Sequence, residues 1–575
     1  MSRFFLFILI ASATATLASN TQSPAARDST RFTVVEATIA DMRTALEQKR
    51  VTSHDIVLQY LARIATYEDK LHAAITVNPR ALEIADERDR ERAQGKLRGP
   101  LHGIPIALKD NIHTTDMPTT GGALAFDGLV PPYEATLTKN LRDAGAIIIA
   151  KTNMTELANW VAGAPTPMPT NYNSLNGQGF NPYDPRRDPR AATFDGRPAL
   201  ATGGSSSGTG TAASFWAANV GTETSGSILS PTNQNMLVGI KPTVGRISRY
   251  GVIPITADQD TAGPMAKSVT DVAILLGVLE GSAPDPNDPA TRTCTPPANH
   301  DYTAFLNRGG LKGARIGIPR AYFYDRVSPP GPGMPANGIG GLNDAQRKAM
   351  DDAIAALKQQ GAVIVDPANI PSIVATDAAN NFLAWNVCSG AGGGKAGAQD
   401  CSVVFKYGMK RDFNAWLASL GAAAPLQTLS ELRAWNTAHV KAGSLKYGQS
   451  NLDISDEMDL ERDRARYEAD RAKDVRLSAT DGIDAIMKAE RLDAILFPAE
   501  SGAAIAAKPG YPTVMVPNAL VPNAPTPAFP EGFNARPAPF GVSFTGMACS
   551  EPRLLELAYA FEQATKKRVP PPTTP

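Results

Sequence analysis

Two glycine- and serine-rich segments near the middle of the chain constrain its fold more strongly than any other feature. The first, residues 203–208, reads GGSSSG, and the second, residues 221–227, reads GTETSGS. Apolar stretches lie before and after them, at 147–150 and 236–240, whereas flexible linkers do not usually lie between apolar elements. We therefore expect both segments to form ordered turns inside a folded domain.

A lysine upstream supplies the chemistry that these serines need. A serine hydroxyl is a weak nucleophile at neutral pH, so a base must accept its proton during attack on a carbonyl carbon. Lys109 directly follows the apolar stretch 104–108, IPIAL, which is typical of a buried strand. Burial lowers the pKa of a lysine, and a fall of roughly three units from about 10.4 makes its amine a base at neutral pH. The pattern predicts a hydrolase in which Lys109 accepts a proton from a serine through a bridging hydroxyl.

The second segment also offers backbone groups that can hold a negatively charged oxygen. A tetrahedral intermediate is stabilised by N–H groups that point at its oxyanion, and glycine allows the turn that aims them. We expect the backbone N–H groups of Thr224, Ser225, Gly226 and Ser227 to form this oxyanion hole.

The chain resembles the amidase signature family, whose members carry a Ser-cisSer-Lys triad, and it is most similar to the secreted, peptide-amidase-like members. By this resemblance Lys109 is the family lysine, Ser205 the bridging serine after a cis peptide bond, and Ser227 the acylated nucleophile. The flanking segments match as well: PLHGIP at 100–105, AGAIIIAKTN at 144–153, GIKPTVGR at 239–246, QDTAGP at 259–264, DAILFPA at 493–499, GYP at 510–512 and EPRLL at 551–555.

The resemblance implies a fold and an activity. The expected fold is α/β, a single large layered domain with a mixed central β-sheet covered by helices on both faces. The expected reaction is hydrolysis of a carboxylic amide, from a small molecule or a peptide, to an acid plus ammonia or an amine. No cofactor is implied, and the six dispersed histidines make a metal site improbable.

The spacing of the two serines departs from the family pattern. Ser205 and Ser227 are 22 positions apart, about two fewer than the family pattern has. A helix is predicted over 210–218, and two missing residues would turn its exit by about 200°. We expect the loop after this helix to absorb the difference, because the motifs at both ends are intact.

Three other interpretations remain open at this point. Residues 204–208 satisfy the G-x-S-x-G pattern of α/β-hydrolases, in which Ser206 would attack with His300 or His439 as its base. An amidotransferase A subunit that supplies ammonia for glutaminyl-tRNA formation resembles the same core. A catalytically silent binding protein with the amidase fold is the third.

The length and the zero formal net charge favour one large enzyme domain. The 575 residues hold site motifs scattered from 109 to about 510, so we expect an amidase domain over 33–575, with a catalytic core at about 80–280 and a variable substrate-shaping region at about 285–490. Lysine plus arginine equals aspartate plus glutamate, at 56 each, so nothing indicates binding to nucleic acid or to an anionic membrane.

The N-terminus predicts export. Arg3 precedes the apolar run 4–11, and small residues lead to a cleavage site after Ala18, so residues 1–18 are expected to be a signal peptide and 19–32 a flexible segment. We therefore expect a secreted or periplasmic protein. Such compartments favour disulfides, and Cys388 and Cys401 flank a glycine-rich stretch that a bridge could close.

Periodicity and turn residues predict the main elements. Helices are expected near 38–49, 54–67 with Ser53 as N-cap, 80–94, 134–144, 271–279, 344–360, 456–473 and 551–566, and strands near 104–108, 146–150, 315–318, 363–365, 493–497, 513–517 and 541–544.

Overall fold

An eleven-stranded mixed β-sheet organises the protein, whose computed structural model describes residues 32–191, 195–331, 335 and 337–575. In chain order its strands are β1 (Ala74–Val77), β2 (Pro105–Lys109), β3 (Ile147–Thr152), β4 (Ala218–Glu223), β5 (Val238–Lys241), β6 (Thr261–Ala266), β7 (Arg315–Gly317), β8 (Val363–Val365), β9 (Ala494–Pro498), β10 (Thr513–Val521) and β11 (Ala538–Thr545). The spatial order across the sheet is β1-β3-β2-β4-β6-β5-β10-β11-β9-β7-β8.

The sheet contains two groups of three parallel strands with antiparallel pairs between them, and the edge strand β1 pairs antiparallel with β3. Strands β3, β2 and β4 are parallel to one another, and so are β9, β7 and β8. The strands between these two groups pair in antiparallel fashion. Every residue of β2, β3 and β4 is buried, as in parallel sheets covered on both faces, and this explains the continuous apolar run before Lys109. The expected layered α/β domain with a mixed sheet is confirmed.

Helices flank this sheet on both faces. In chain order they are α1 (Ile39–Glu47), α2 (Ser53–Leu71), α3 (Ala81–Ala93), α4 (Thr136–Asp143), α5 (Thr209–Ala212), α6 (Leu229–Gln234), α7 (Val269–Glu280), α8 (Arg320–Phe323), α9 (Asp344–Gln359), α10 (Pro371–Val374), α11 (Val404–Ser419), α12 (Leu429–Ala438), α13 (Ser450–Asp456), α14 (Arg464–Val475), a π-helical stretch (Arg476–Ile483), α15 (Asp484–Ala489), α16 (Ala503–Ala507) and α17 (Glu551–Thr565).

Three predicted helices differ from the observed ones. The helix expected over 210–218 ends at Ala212, because Ser214 adopts a left-handed conformation, with φ of 56°, that breaks it. The helix expected over 456–473 starts only at Arg464, and α13 ends at Asp456 before it. Helix α2 is capped by Thr52, not Ser53, because the Thr52 hydroxyl accepts from the backbone N–H of Asp55.

Two disulfides cross-link the described part of the chain. Cys388 and Cys401 are bonded, as expected, with Cα atoms 5.0 Å apart. A second bridge, which was not predicted, joins Cys294 to Cys549 across 255 residues. The expected signal peptide and most of the expected flexible segment lie outside the described residues. Among the helices of the described part, none has the length and apolarity needed to cross a bilayer.

Candidate active site

Lys109 is the last residue of β2, and its side chain is fully buried. Its Nζ donates to Ser205 Oγ at 2.8 Å, to Thr222 Oγ1 at 2.9 Å and to the Thr222 carbonyl oxygen at 3.2 Å. Thr222 lies in β4, the strand next to β2, so the central sheet itself holds these contacts in register. The structure therefore brings together two of the three residues predicted for the triad.

Burial has the largest effect on the pKa of Lys109. Removal from water lowers the pKa of Lys109 to about 7, although the carboxyl groups of Asp260 and Glu223 act in the opposite direction. Near neutral pH a substantial fraction of the amine is therefore uncharged. An uncharged amine can accept a proton, which an ordinary surface lysine cannot do at this pH.

The turn that carries Ser205 depends on two glycines. Gly203 and Gly204 both have positive φ, 79° and 31°, and a Cβ atom on Gly204 would lie 2.9 Å from the Cα of Ser227. The backbone before Ser205 therefore lies directly against Ser227. The expected cis peptide bond before Ser205 is absent, and this expectation was wrong: the positive-φ glycines turn the chain here. All cis bonds in the described residues precede proline: Ala164-Pro165, Asp366-Pro367 and Thr526-Pro527.

Ser206 ties the two serine-rich segments together. Its backbone N–H donates to the carbonyl oxygen of Ser227 at 3.2 Å. Its hydroxyl donates to the Thr222 carbonyl oxygen at 2.9 Å and accepts from the Thr222 N–H at 3.1 Å. Since the side chain is fully buried and both bonds hold it in place, Ser206 is poorly suited to attack a substrate.

The histidines proposed as bases for Ser206 have other partners. Nδ1 of His300 lies 3.0 Å from Oε2 of Glu280, and the ring of His439 stacks on Trp435 at 3.9 Å. Neither contact involves the serine-rich segments. The α/β-hydrolase interpretation therefore lacks its catalytic base.

Ser227 and the turn before it remain accessible. Ser227 and Gly226 are half-buried, Ser225 is exposed, and Gly226 has φ of 89°. In the described part of the chain, the backbone N–H groups of residues 224–227 donate to no protein acceptor. Four consecutive unpaired donors on an open turn form the kind of concave site that binds an oxyanion.

Glu223 holds the chain just after Ser227. Its Oε2 accepts from the backbone N–H groups of Ile228 at 2.7 Å and Leu229 at 3.0 Å, where helix α6 begins. A carboxylate at this position satisfies N–H groups that the helix leaves without partners. Glu223 is therefore a positioning residue for the turn, a role that the GTETSGS motif does not reveal by itself.

Asp260 and Asn111 make further hydrogen bonds to the residues around Lys109 and the oxyanion turn. Asp260 accepts a short hydrogen bond from the Thr224 hydroxyl, and its other oxygen accepts from the backbone N–H groups of Ile255 and Thr256, both at 2.9 Å. Burial raises the pKa of Asp260 to about 7. Asn111 donates to Thr222 Oγ1 at 3.0 Å. Fixed spacing in the sequence does not reveal these contacts, because the partners come from different strands and loops.

A short helix and a loop connect the two serine-rich segments. Helix α5 has a single turn, residue 214 reverses the chain, and β4 starts four residues later. Ser206, at the first end of this connection, is hydrogen-bonded to both Thr222 and Ser227. One helical turn, a short loop and the start of β4 thus make up the connection between the two serine-rich segments.

The chain belongs to the amidase family. The model of the family described as Amidase matches residues 55–555. Together with this family assignment, the fold and the site define an enzyme that hydrolyses amides.

Individual relatives agree with this assignment. A probable amidase of Arabidopsis thaliana is 32% identical over 580 residues, which is 99% of this chain and 98% of that protein. The crystal structure of native peptide amidase from Stenotrophomonas maltophilia is 36% identical and matches with a TM-score of 0.75. The match covers 93% of this chain and 98% of the peptide amidase chain. The A subunit of glutamyl-tRNA(Gln) amidotransferase from Chloroflexus aurantiacus is 37% identical over 332 residues, only 57% of this chain and 60% of that subunit.

Proposed function

We propose that this amidase forms an acyl-enzyme on Ser227, with Lys109 as the base and Ser205 as the proton relay. The observation that carries the proposal is the 2.8 Å contact between the fully buried Lys109 Nζ and Ser205 Oγ. It joins an amine whose pKa is close to 7 to a hydroxyl whose neighbouring backbone touches Ser227. A hydroxyl can accept one proton while it donates another, so Ser205 suits a relay.

The first half-reaction follows from this arrangement. Ser227 Oγ attacks the amide carbonyl carbon, its proton moves to Ser205, and the Ser205 proton moves to Lys109. The unpaired N–H groups of residues 224–227 stabilise the negative oxygen of the tetrahedral intermediate. The relay then runs backwards and protonates the departing nitrogen as the C–N bond breaks, because an amine anion is a poor leaving group.

The second half-reaction uses the same groups. Water attacks the ester carbon of the acyl-enzyme and passes one proton through Ser205 to Lys109. When the tetrahedral intermediate collapses, the Ser227 oxygen leaves and recovers that proton. The carboxylic acid is released and the starting protonation states return.

A peptide amide is the substrate class that we propose. The support is the similarity over nearly the whole chain to a protein named peptide amidase. The sequence similarity to the amidotransferase A subunit from Chloroflexus aurantiacus covers little more than half of this chain, which disfavours a role as a subunit of that complex. The two disulfides also support export to an oxidising compartment after cleavage of residues 1–18.

Labelling tests the nucleophile directly. A serine-directed phosphonate should modify Ser227, as located by peptide mass, and Ser227→Ala should lose both the label and amide hydrolysis while keeping its melting temperature. Ser282→Ala, which removes an exposed serine far along the chain, is the matched control. A label on Ser206, or near-normal turnover by Ser227→Ala, would refute the assignment. N-terminal sequencing of the exported protein tests the signal peptide and should begin at Ser19.

A further inference from the structure

Asp258 lies two residues before Asp260, outside the proposed catalytic relay, and is bound by two helices of the variable region. Its carboxylate accepts from the Tyr467 hydroxyl, which lies 2.8 Å from both oxygens, and from Arg411 Nη2 at 3.1 Å. Arg471 Nε lies 3.5 Å from Asp258 Oδ1, and Arg471 Nη2 donates to the Asp258 carbonyl oxygen at 3.2 Å. Arg411 belongs to α11, and Tyr467 and Arg471 belong to α14. One half-buried aspartate thus contacts both helices.

The Asp258 carboxylate is ionised at neutral pH. Burial acts to raise its pKa, but the hydrogen bond from Tyr467 and the positive charges of Arg411 and Arg471 bring the pKa below its ordinary value. Arg411 Nη1 also donates to the Tyr467 hydroxyl at 2.8 Å. The three side chains therefore form a connected network around the carboxylate, and hydrogen bonds to an ionised group are the stronger kind.

The chain around Asp258 also lies tightly against helix α11. A Cβ atom on Gly408 of this helix would lie 2.2 Å from the Thr256 hydroxyl oxygen, so only glycine permits the approach. The Ala257 N–H donates to Asp412 of the same helix at 2.7 Å. The Thr256 hydroxyl donates to Asp258 Oδ2 at 2.9 Å. The variable region therefore holds this part of the chain through several independent contacts.

The same segment, residues 256–260, also holds the oxyanion turn. Gln259 Nε2 donates to the Thr224 carbonyl oxygen at 3.1 Å, and Asp260 accepts from the Thr224 hydroxyl. Both side chains are buried. The backbone N–H groups of Gln259 and Asp260 donate to the Thr256 carbonyl oxygen at 3.2 and 2.9 Å, which makes the segment a tight turn. A displacement of this segment therefore moves the first residue of the oxyanion turn.

A second connection runs through Arg471 to another neighbour of the oxyanion turn. Arg471 Nη1 donates a short hydrogen bond to the carbonyl oxygen of Lys508, the residue that follows helix α16. Ala503 is the first residue of this helix, and its Cβ lies 3.7 Å from the position that a Cβ atom on Gly226 would take. Arg471 thus joins two segments that each lie against the oxyanion turn.

We propose that Asp258 is a positioning residue for amide hydrolysis, which holds the oxyanion turn in place by tying it to helices α11 and α14. The inference rests on the proposed role of residues 224–227 in stabilising the tetrahedral intermediate, and it gives the variable region a part in the chemical step. A misplacement of about 1 Å at an active site costs on the order of a hundredfold in rate. Loss of the Asp258 contacts should therefore slow the reaction and leave substrate binding unchanged.

Steady-state kinetics of Asp258→Ala tests this role. With N-acetyl-phenylalanine amide, kcat should fall at least tenfold and KM should change less than twofold, because the contacts act on the transition state. Asp456→Ala is the matched control, since this half-buried aspartate of α13 also accepts from an arginine, Arg433, at 2.6 Å. The control should retain full kcat. An unchanged kcat in Asp258→Ala, or an equal loss in both variants, overturns the proposal.

An inhibitor distinguishes a displaced oxyanion turn from a damaged binding site. N-acetyl-phenylalaninal, an aldehyde that forms a hemiacetal with a nucleophilic serine, should bind at least tenfold more weakly to Asp258→Ala than to the wild type. Calorimetry with N-acetyl-phenylalanine amide in the Ser227→Ala background should give the same Kd with and without Asp258→Ala. Equal weakening of the aldehyde and the amide overturns the proposal.

A double-mutant cycle measures the coupling between Asp258 and the oxyanion turn. Thr224→Val removes the hydroxyl that donates to Asp260, and it should lower kcat less in the Asp258→Ala background than in the wild type. If Asp258→Ala does not fold, Tyr467→Phe takes its place in the cycle and should lower kcat at least threefold. Effects that multiply independently overturn the proposal. Retained activity in Ser227→Ala alone would instead refute the nucleophile, so the two failures are distinguishable.

Discussion

Thr222 binds the amine of Lys109 with both its hydroxyl and its carbonyl oxygen, at 2.9 and 3.2 Å. The two residues lie on the adjacent parallel strands β2 and β4, so the scaffold itself determines where the amine points. Nothing in the contact requires a positive charge, because hydroxyl and carbonyl oxygens also accept from a neutral amine. The contact is therefore compatible with the role of base that we propose for Lys109.

Lys109→Arg should abolish turnover, with a loss of about a thousandfold or more in kcat. Arginine keeps the charge and the donors but cannot give up its proton in a protein. The measurement is steady-state hydrolysis of an amide, with the melting temperature as a check of folding. Lys96→Arg, at an exposed site, is the control and should retain full activity. Substantial activity in Lys109→Arg would show that a neutral amine is not needed.

The activity should depend on pH with a midpoint near 7. Below that pH Lys109 is protonated, so kcat/KM should fall about tenfold per pH unit. Asp260 ionises in the same range and its negative charge raises the pKa of Lys109, so the midpoint belongs to the pair. Asp260→Asn removes that charge and should move the acid limb to lower pH. A midpoint that stays or rises in this variant would contradict the coupling.

Lys109→Met should stabilise the fold while it removes activity. The pKa of Lys109 is about 7 in the folded protein and about 10.4 when unfolded, so between these values the unfolded chain binds more protons. The cost to stability is greatest below pH 7 and fades as the pH rises towards 10. The variant should therefore gain on the order of 1–2 kcal/mol in denaturant unfolding at pH 6, and less at pH 9. Equal gains at the two pH values would indicate that packing alone is responsible.

Glu223→Ala should lower kcat by about ten- to a hundredfold with little change in KM. The variant frees the N–H groups of Ile228 and Leu229 and loosens the turn that carries Ser227. Glu223→Gln keeps an acceptor oxygen in the same place and should recover most of the rate. Equal losses in the two variants would mean that the negative charge matters more than the acceptor.

The two disulfides should contribute unequally to stability. The Cys388–Cys401 bridge closes a short loop worth about 3 kcal/mol, and the Cys294–Cys549 bridge closes a long one worth about 5 kcal/mol. Replacement of each pair by serine, followed by denaturant unfolding, measures both. A larger loss from the Cys388–Cys401 pair would show that loop length is not the governing factor.

Local patterns in the sequence predicted two structural features of the candidate site, the burial of Lys109 and the open turn at 224–227. An apolar strand before Lys109 and glycines beside the serines are local features, so the buried amine and the open turn followed from them. The contacts of Asp260, the role of Glu223 and the Cys294–Cys549 bridge did not, because each joins segments distant along the chain or depends on how a strand ends. The prediction of a helix over 210–218 was wrong for a different reason, because hydrophobic periodicity does not reveal that residue 214 adopts a left-handed conformation.

The pairing of β5 with β10 has a consequence for how the polypeptide is made. These neighbouring strands are about 270 residues apart along the chain, so the sheet cannot close until the ribosome has synthesised most of the protein. Contacts so remote in sequence also form slowly. The nascent chain therefore stays incompletely folded through most of its synthesis, and the sheet closes only near its end.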